Sequence, residues 1–279
     1  MSGHEARDIK IAHIGGESRA RAKSLMFDLA LGAAIFLAAT PAHARFQFLI
    51  PDRDVVTETN EPEVRFDIRF ASPMDPAQMT DMAKPAAFGV MKGEDKTDLL
   101  DALRERKIGD TTAYEASYRF KEPGDYIFYL EPAPVWVPAR DKMVIHYTKA
   151  VVGVRDVGYG WDAPVDFPAE IRPLTRPYGL WAGSVFQGVA IKNGMAMPNA
   201  AVEMSYFNEA RRADIPSPLY AVQVVKTDPN GVFTVALPRA GWWVFAFVTD
   251  GDDSMTNPSG RQVAVEIAGV LWVHAVDMK

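Results

Sequence analysis

The sequence predicts an all-β protein: two antiparallel β-sandwich domains in tandem after a cleaved signal peptide. Three observations carry this expectation. Short runs alternate apolar and polar residues with the two-residue period of a half-buried strand. Twenty prolines and 20 glycines punctuate the 279 residues, which suits many turns between short strands better than long helices. There is no cysteine, so each domain must be held by its core and not by disulfides or thiolate-bound metal.

Residues 1–44 read as a leader and not as part of the fold. Arg19, Arg21 and Lys23 form a basic segment, and the apolar run Leu25–Ala39 is interrupted only by Asp28. Ala42-His43-Ala44 then supplies small residues flanking a cleavage point. The apolar run is shorter than the roughly 20 residues that span a bilayer. Cleavage after Ala44 leaves Arg45 at the N-terminus, whereas cleavage after Ala42 leaves His43. The expected destination is the periplasm, with no covalent membrane anchor evident.

Residues 45–154 are expected to form the N-terminal sandwich domain with one short helix. Arg45–Pro51 (RFQFLIP) and Val64–Phe70 (VRFDIRF) read as strands, the second with Val64, Phe66, Ile68 and Phe70 on one face. Thr97–Lys107 (TDLLDALRERK) predicts the helix, with Thr97 as its cap and Leu99, Leu100 and Leu103 on one side. Ala113–Phe120 and Tyr126–Leu130 flank a turn at Glu122–Asp125, and Met143–Val154 is a last long strand. Residues 155–178, broken by Gly158, Gly160, Pro164, Pro168, Pro173 and Pro177, are expected as a linker. Residues 179–279 restart the strand pattern as a second sandwich. Asn193-Gly194 marks a hairpin there, since both positions tolerate positive φ. About seven strands then fit into roughly 100 residues, a sandwich spacing.

Net charge is −6, which disfavours a nucleic-acid partner. No glycine-rich loop has dinucleotide or phosphate-loop spacing. Ser184 lies in Gly183-Ser184-Val185, outside any nucleophile elbow. No serine is singled out beside a histidine, so the chain is expected not to be an enzyme. Asp250–Ser254 resembles the start of a calcium loop, but Met255 and Arg261 stand where Gly and Glu are required. His146 and His274 each lie mid-strand, as either hydrogen-bonded structural residues or metal ligands, since neutral imidazole suits nickel, copper and zinc. Met74, Met79 and Met82 are either soft copper(I) donors or fillers of irregular core gaps. An N-terminal His43 would chelate a divalent metal through its α-amine and imidazole. Trp136, Trp161 and Trp181 either pack in cores or present a surface for carbohydrate.

Several runs together resemble one bacterial family. They are MAKPAAFGV (82–90), KTDLL (96–100), TAYEASY (112–118), PGDYIFY (123–129), EPAPVWVP (131–138), DKMVIHYTK (141–149) and EIRPLTRPYGLWAGSVFQG (170–188). Residues 231–243 and 270–274 close the set. In this order they resemble the DUF4198 proteins, described as the periplasmic component of a nickel or cobalt uptake transporter, over nearly all of residues 45–279. The second half separately resembles the carboxypeptidase-regulatory, transthyretin-like sandwich, so the two domains are expected to be immunoglobulin- or prealbumin-like. The resemblance implies an accessory that binds nickel or cobalt, free or chelated, and works with a membrane permease and its ATPase. Family members often carry a His at the start of the mature chain, before a Phe-x-x-x-Ile/Leu-Pro strand; here Arg45 precedes Phe46 and His43 stands two residues earlier. The expected metal ligands are His43 and His146. The alternative is a structural or interaction sandwich module of the cell envelope that binds no metal.

Overall fold

The segment Lys142–Val154 is buried at every position from Met143 onward. A strand reads as such a continuous run when both of its faces are covered, and this one lies in the middle of the molecule. Gly124–Glu131 pairs antiparallel along one of its edges and Gln262–Val276 pairs parallel along the other. The computed structural model describes residues 45–155, 158–210 and 213–279. Among these the secondary structure is β, with short 3-10 turns at Leu100–Ala102, Pro138–Arg140 and Pro218–Tyr220 and no α-helix.

The main sheet runs, from edge to edge, through Gln223–Lys226, Ala201–Tyr206, Gly241–Thr256, Gln262–Val276, Lys142–Val154, Gly124–Glu131, Ala87–Lys92 and Asp95–Asp98. Strands from the two halves of the chain therefore meet inside one sheet, and the described residues belong to one compact unit.

Side-chain alternation along the central strands sends residues into different cores. Ala150, Val152 and Val154, with Ala268, Val270 and Trp272, face one way. They pack on Val64, Phe66 and Ile68 of a smaller sheet whose order is Ile50–Pro51, Glu63–Ile68, Thr111–Arg119, Arg104–Ile108. Met143, Ile145 and Tyr147, with Val265, Ile267 and Leu271, face the other way. These pack on Ile171, Phe186 and Phe233 of a second small sheet built from Ala169–Pro173, Val185–Lys192, Met195–Ala196 and Val232–Ala236. The expected all-β class holds, as a central sheet covered on both faces. Each large side chain buried here contributes roughly 1.5–3 kcal/mol relative to exposure.

The helix expected over Thr97–Lys107 is not formed. Asp98 ends a strand, its Oδ1 accepts from Leu100 N at 2.8 Å, and only Leu100–Ala102 turns as a 3-10 element before Arg104–Ile108 returns as a strand. The three leucines that suggested a helix face are satisfied within one turn: Leu103 is buried, and Leu99 and Leu100 pack against the first core. A helix this short is marginal by itself in water. Pairing with Ala87–Lys92 on one side and Thr111–Arg119 on the other satisfies the backbone instead.

Within residues 155–178, Ala169–Pro173 forms a strand paired antiparallel with Val185–Lys192. It carries Glu170, which forms an ion pair with Lys149 of the central strand, the two side chains being 4% and 2% exposed. Glu170 also accepts from the backbone N–H groups of Val165 (3.0 Å) and Asp166 (3.1 Å). Burial alone would raise its pKa, but Lys149 and those two donors outweigh burial and hold the carboxyl below its ordinary value. The close approach needs Gly269, where an added Cβ would lie 2.5 Å from Glu170 backbone atoms.

Removing one partner of such a pair strands a buried charge. Lys149→Met is expected to lower the unfolding free energy by about 3–5 kcal/mol in urea titration, with Lys149→Met/Glu170→Leu recovering a large part. Because the folded-state pKa of Glu170 lies below the unfolded value of 4.5, its contribution is complete above that pH and fades as pH falls below it. A Lys149→Met variant as stable as the parent would show that the pair does not hold the seam.

Candidate functional site

Asp54 precedes the strand Val55–Val56, which pairs in parallel with Gly153–Val154 at the end of the central strand. Its backbone carbonyl accepts from Gly153 N at 2.9 Å. Its side chain, 10% exposed, is held at both oxygens: Oδ2 accepts from Gly179 N at 2.9 Å, and Oδ1 lies 3.1 Å from His274 Nδ1. A carboxylate only accepts, so the geometry assigns the proton to Nδ1 and leaves the Nε2 lone pair of neutral His274 free. Among the described residues nothing pairs with that Nε2, and the His274 side chain is 25% exposed.

His274 sits in Gln262–Val276 directly opposite Trp242 of Gly241–Thr256. The two rings stack at 4.8 Å with an interplanar angle of 31°. Trp242 is also part of the wall of a half-open groove of about 820 Å³ on the outer face of the smaller sheet. Arg65, Arg104, Arg106, Asp67, Glu115 and Glu209 supply its polar lining. Asp67 is shared by Arg69 at 3.0 Å and by Arg106. Arg65 makes no ion pair among the described residues.

His43 lies outside the described residues. His146 is buried between Phe46 and Phe70, with ring centroids at 6.1 and 5.3 Å. Its Nδ1 has no hydrogen-bond partner among the described residues. Burial, helped by the charge of Arg140, pushes its pKa down to about 3, so it is neutral across the physiological range. Among the described residues no group of three or more histidine or carboxylate side chains is placed to hold a metal ion.

The remaining sequence candidates have structural partners. Met82 is buried and accepts from Gln47 Nε2 at 3.6 Å through sulfur, and Met79 packs against the first core. In the acidic run, Asp250 pairs with Lys142 and Asp252 with Lys192, each at 2.6 Å, so its charge is largely neutralised. Trp136 and Trp161 are partly buried against cores, whereas Trp181 is 46% exposed. Sequence reasoning passed over Asp54 and Trp242. Asp54 stands 220 residues from His274, and no local spacing marks it.

A protein-family model described as "Domain of unknown function (DUF4198)" matches residues 42–251. No curated protein matches the chain. Among solved structures, the D0–D1 domain of intimin is 12% identical, with 81% of this chain and 96% of that chain covered and a TM-score of 0.24. The adhesin InvE of Yersinia pseudotuberculosis is 11% identical, covering 80% of this chain and 58% of that one, at 0.23. A putative carbohydrate-binding protein from Bacteroides uniformis is 12% identical, covering 80% and 99%, at 0.21. These scores are too low to carry a shared architecture.

The burial of His146 has a measurable consequence. Its folded-state pKa of about 3 lies below the unfolded value of 6.5, so the folded protein is favoured above pH 6.5 and loses that advantage as pH falls toward 3. His146→Phe should remove part of this acid sensitivity. Between pH 6 and 4 its unfolding free energy should decline by about 1.4 kcal/mol per pH unit less than that of the parent. Equal slopes in urea titrations at these pH values would contradict the buried, neutral assignment.

Proposed function

We propose, from the premise that the chain belongs to the DUF4198 family, that it is an exported, non-catalytic accessory of nickel or cobalt uptake. It captures the metal as a partly coordinated complex and passes it to a membrane permease working with an ATPase. The observation that carries this reading is the Asp54–His274 pair. Metal-ligating histidines almost always donate the second ring N–H to a carboxylate or carbonyl, which fixes the tautomer and raises ligand basicity. His274 has that arrangement, with Nε2 unpaired among the described residues. Imidazole suits nickel.

A single oriented imidazole is not a cage. It fits a metal that arrives with most positions already filled by other nitrogen and oxygen donors and needs one more. His146, enclosed by Phe46 and Phe70, is a poorer donor than His274 in this reading. A second reading, an interaction module that binds no metal, is favoured by Leu219 (86% exposed), Tyr220 (58%) and Val224 (61%) beside the edge strand Gln223–Lys226.

Calorimetric titration of nickel(II) nitrilotriacetate into the mature protein tests the first reading. Saturable binding is expected, lost in His274→Ala, weakened about 10–100-fold in Asp54→Asn, and retained in His146→Phe. Absence of saturable heat would leave the interaction module as the reading, and saturable binding unchanged in His274→Ala would overturn His274 as the ligand.

A further inference from the structure

The groove beside Trp242 contains a charge pair that the fold keeps apart. Arg104 and Glu115 are directly opposite in the ladder joining Arg104–Ile108 to Thr111–Arg119. Opposite charges at such positions ordinarily pair across the strands. Here Arg104 Nη1 donates to the carbonyls of Asp101 (2.7 Å) and Leu103 (3.1 Å), which ties the guanidinium back over the Leu100–Ala102 turn. Its Nε–Nη2 edge is left open, and that edge matches a carboxylate with two parallel hydrogen bonds. The Glu115 side chain makes neither a hydrogen bond nor an ion pair among the described residues. The neighbouring Asp67 cannot neutralise Arg104, because Arg106 and Arg69 already occupy it.

An unpaired cation and an unpaired anion thus stand on adjacent strands, with the partly buried Trp242 lining the same groove. The complement of that pattern is an ammonium and a carboxylate on one carbon, joined to an apolar side chain. We infer that the groove binds the head group of a free α-amino acid, carboxylate on Arg104 and ammonium on Glu115, with the side chain against Trp242. A polycarboxylate would meet Arg65 as well as Arg104, but it would also face the carboxylates of Glu115 and Glu209, which line the same groove. The groove, at about 820 Å³, lies within the size range of small-molecule sites. This site is distinct from metal capture at His274 and does not require it.

The test is calorimetric titration of L-phenylalanine into the mature protein with metal removed by a chelator, so that failure of nickel capture does not affect it. Three comparators accompany it: phenethylamine without the carboxylate, 3-phenylpropionate without the ammonium, and the tricarboxylate tricarballylate. Saturable binding of L-phenylalanine is expected, with each comparator about tenfold weaker or more. Arg104→Gln and Glu115→Gln should each weaken L-phenylalanine about tenfold; both positions are exposed, and an unchanged circular dichroism spectrum would confirm the fold. No saturable binding of L-phenylalanine would overturn the inference. So would binding indifferent to both substitutions, or tighter binding of tricarballylate.

Discussion

The buried Lys149–Glu170 pair is the constraint on which the arrangement of the molecule turns. Two charges withdrawn from water are tolerated only where geometry is good and the remaining lone pairs are satisfied. That condition requires the central strand, the Ala169–Pro173 strand and the backbone at Gly269 to close on one another at once. Apolar chains of similar volume would fill the same space without demanding this register. The pair ties the segment after residue 155 to the strand before it, and the cores on the two faces of the main sheet are assembled around that seam.

The segment that carries Glu170 also sets the candidate site. A few residues on, Tyr178 donates its hydroxyl to buried Asp125 at 2.6 Å, and its ring fills the space a Cβ at Gly153 would take. Gly179 follows with φ of +64°, directing its N–H to Asp54 Oδ2. Asp54 is therefore held from both sides and can orient His274 without moving. The ion pair, the tyrosine and the glycine form one continuous piece of chain, through which the packing of the seam reaches the imidazole.

His146 and His274 look alike in sequence, each mid-strand among apolar residues, and they end in opposite chemical situations. His146 is enclosed by aromatic rings with an orphaned Nδ1, in surroundings that disfavour charge. His274 lies where the paired strands reach the surface beside Asp54, its ring against Trp242. The difference comes from what packs over each strand, which period-two alternation does not encode. The same holds for Arg104: its side chain is turned onto nearby carbonyls by a short 3-10 turn that was read as part of a helix.

By itself the sequence determined the all-β class, because alternation, frequent turn residues and the apolar Met143–Val154 run leave few other ways to bury side chains. It located the hairpin at Asn193-Gly194, where both residues take positive φ, and the histidines worth asking about. Only the tertiary structure decided that strands from both halves share a sheet. Parallel pairing of Lys142–Val154 with Gln262–Val276 joins residues more than a hundred apart, and no local pattern announces it. It also decided which histidine is oriented, since a carboxylate 220 residues away supplies the partner. Local rules govern how a segment can be extended or turned; which segments meet is set by the free energy of closing both cores together, and the site is a product of that closure.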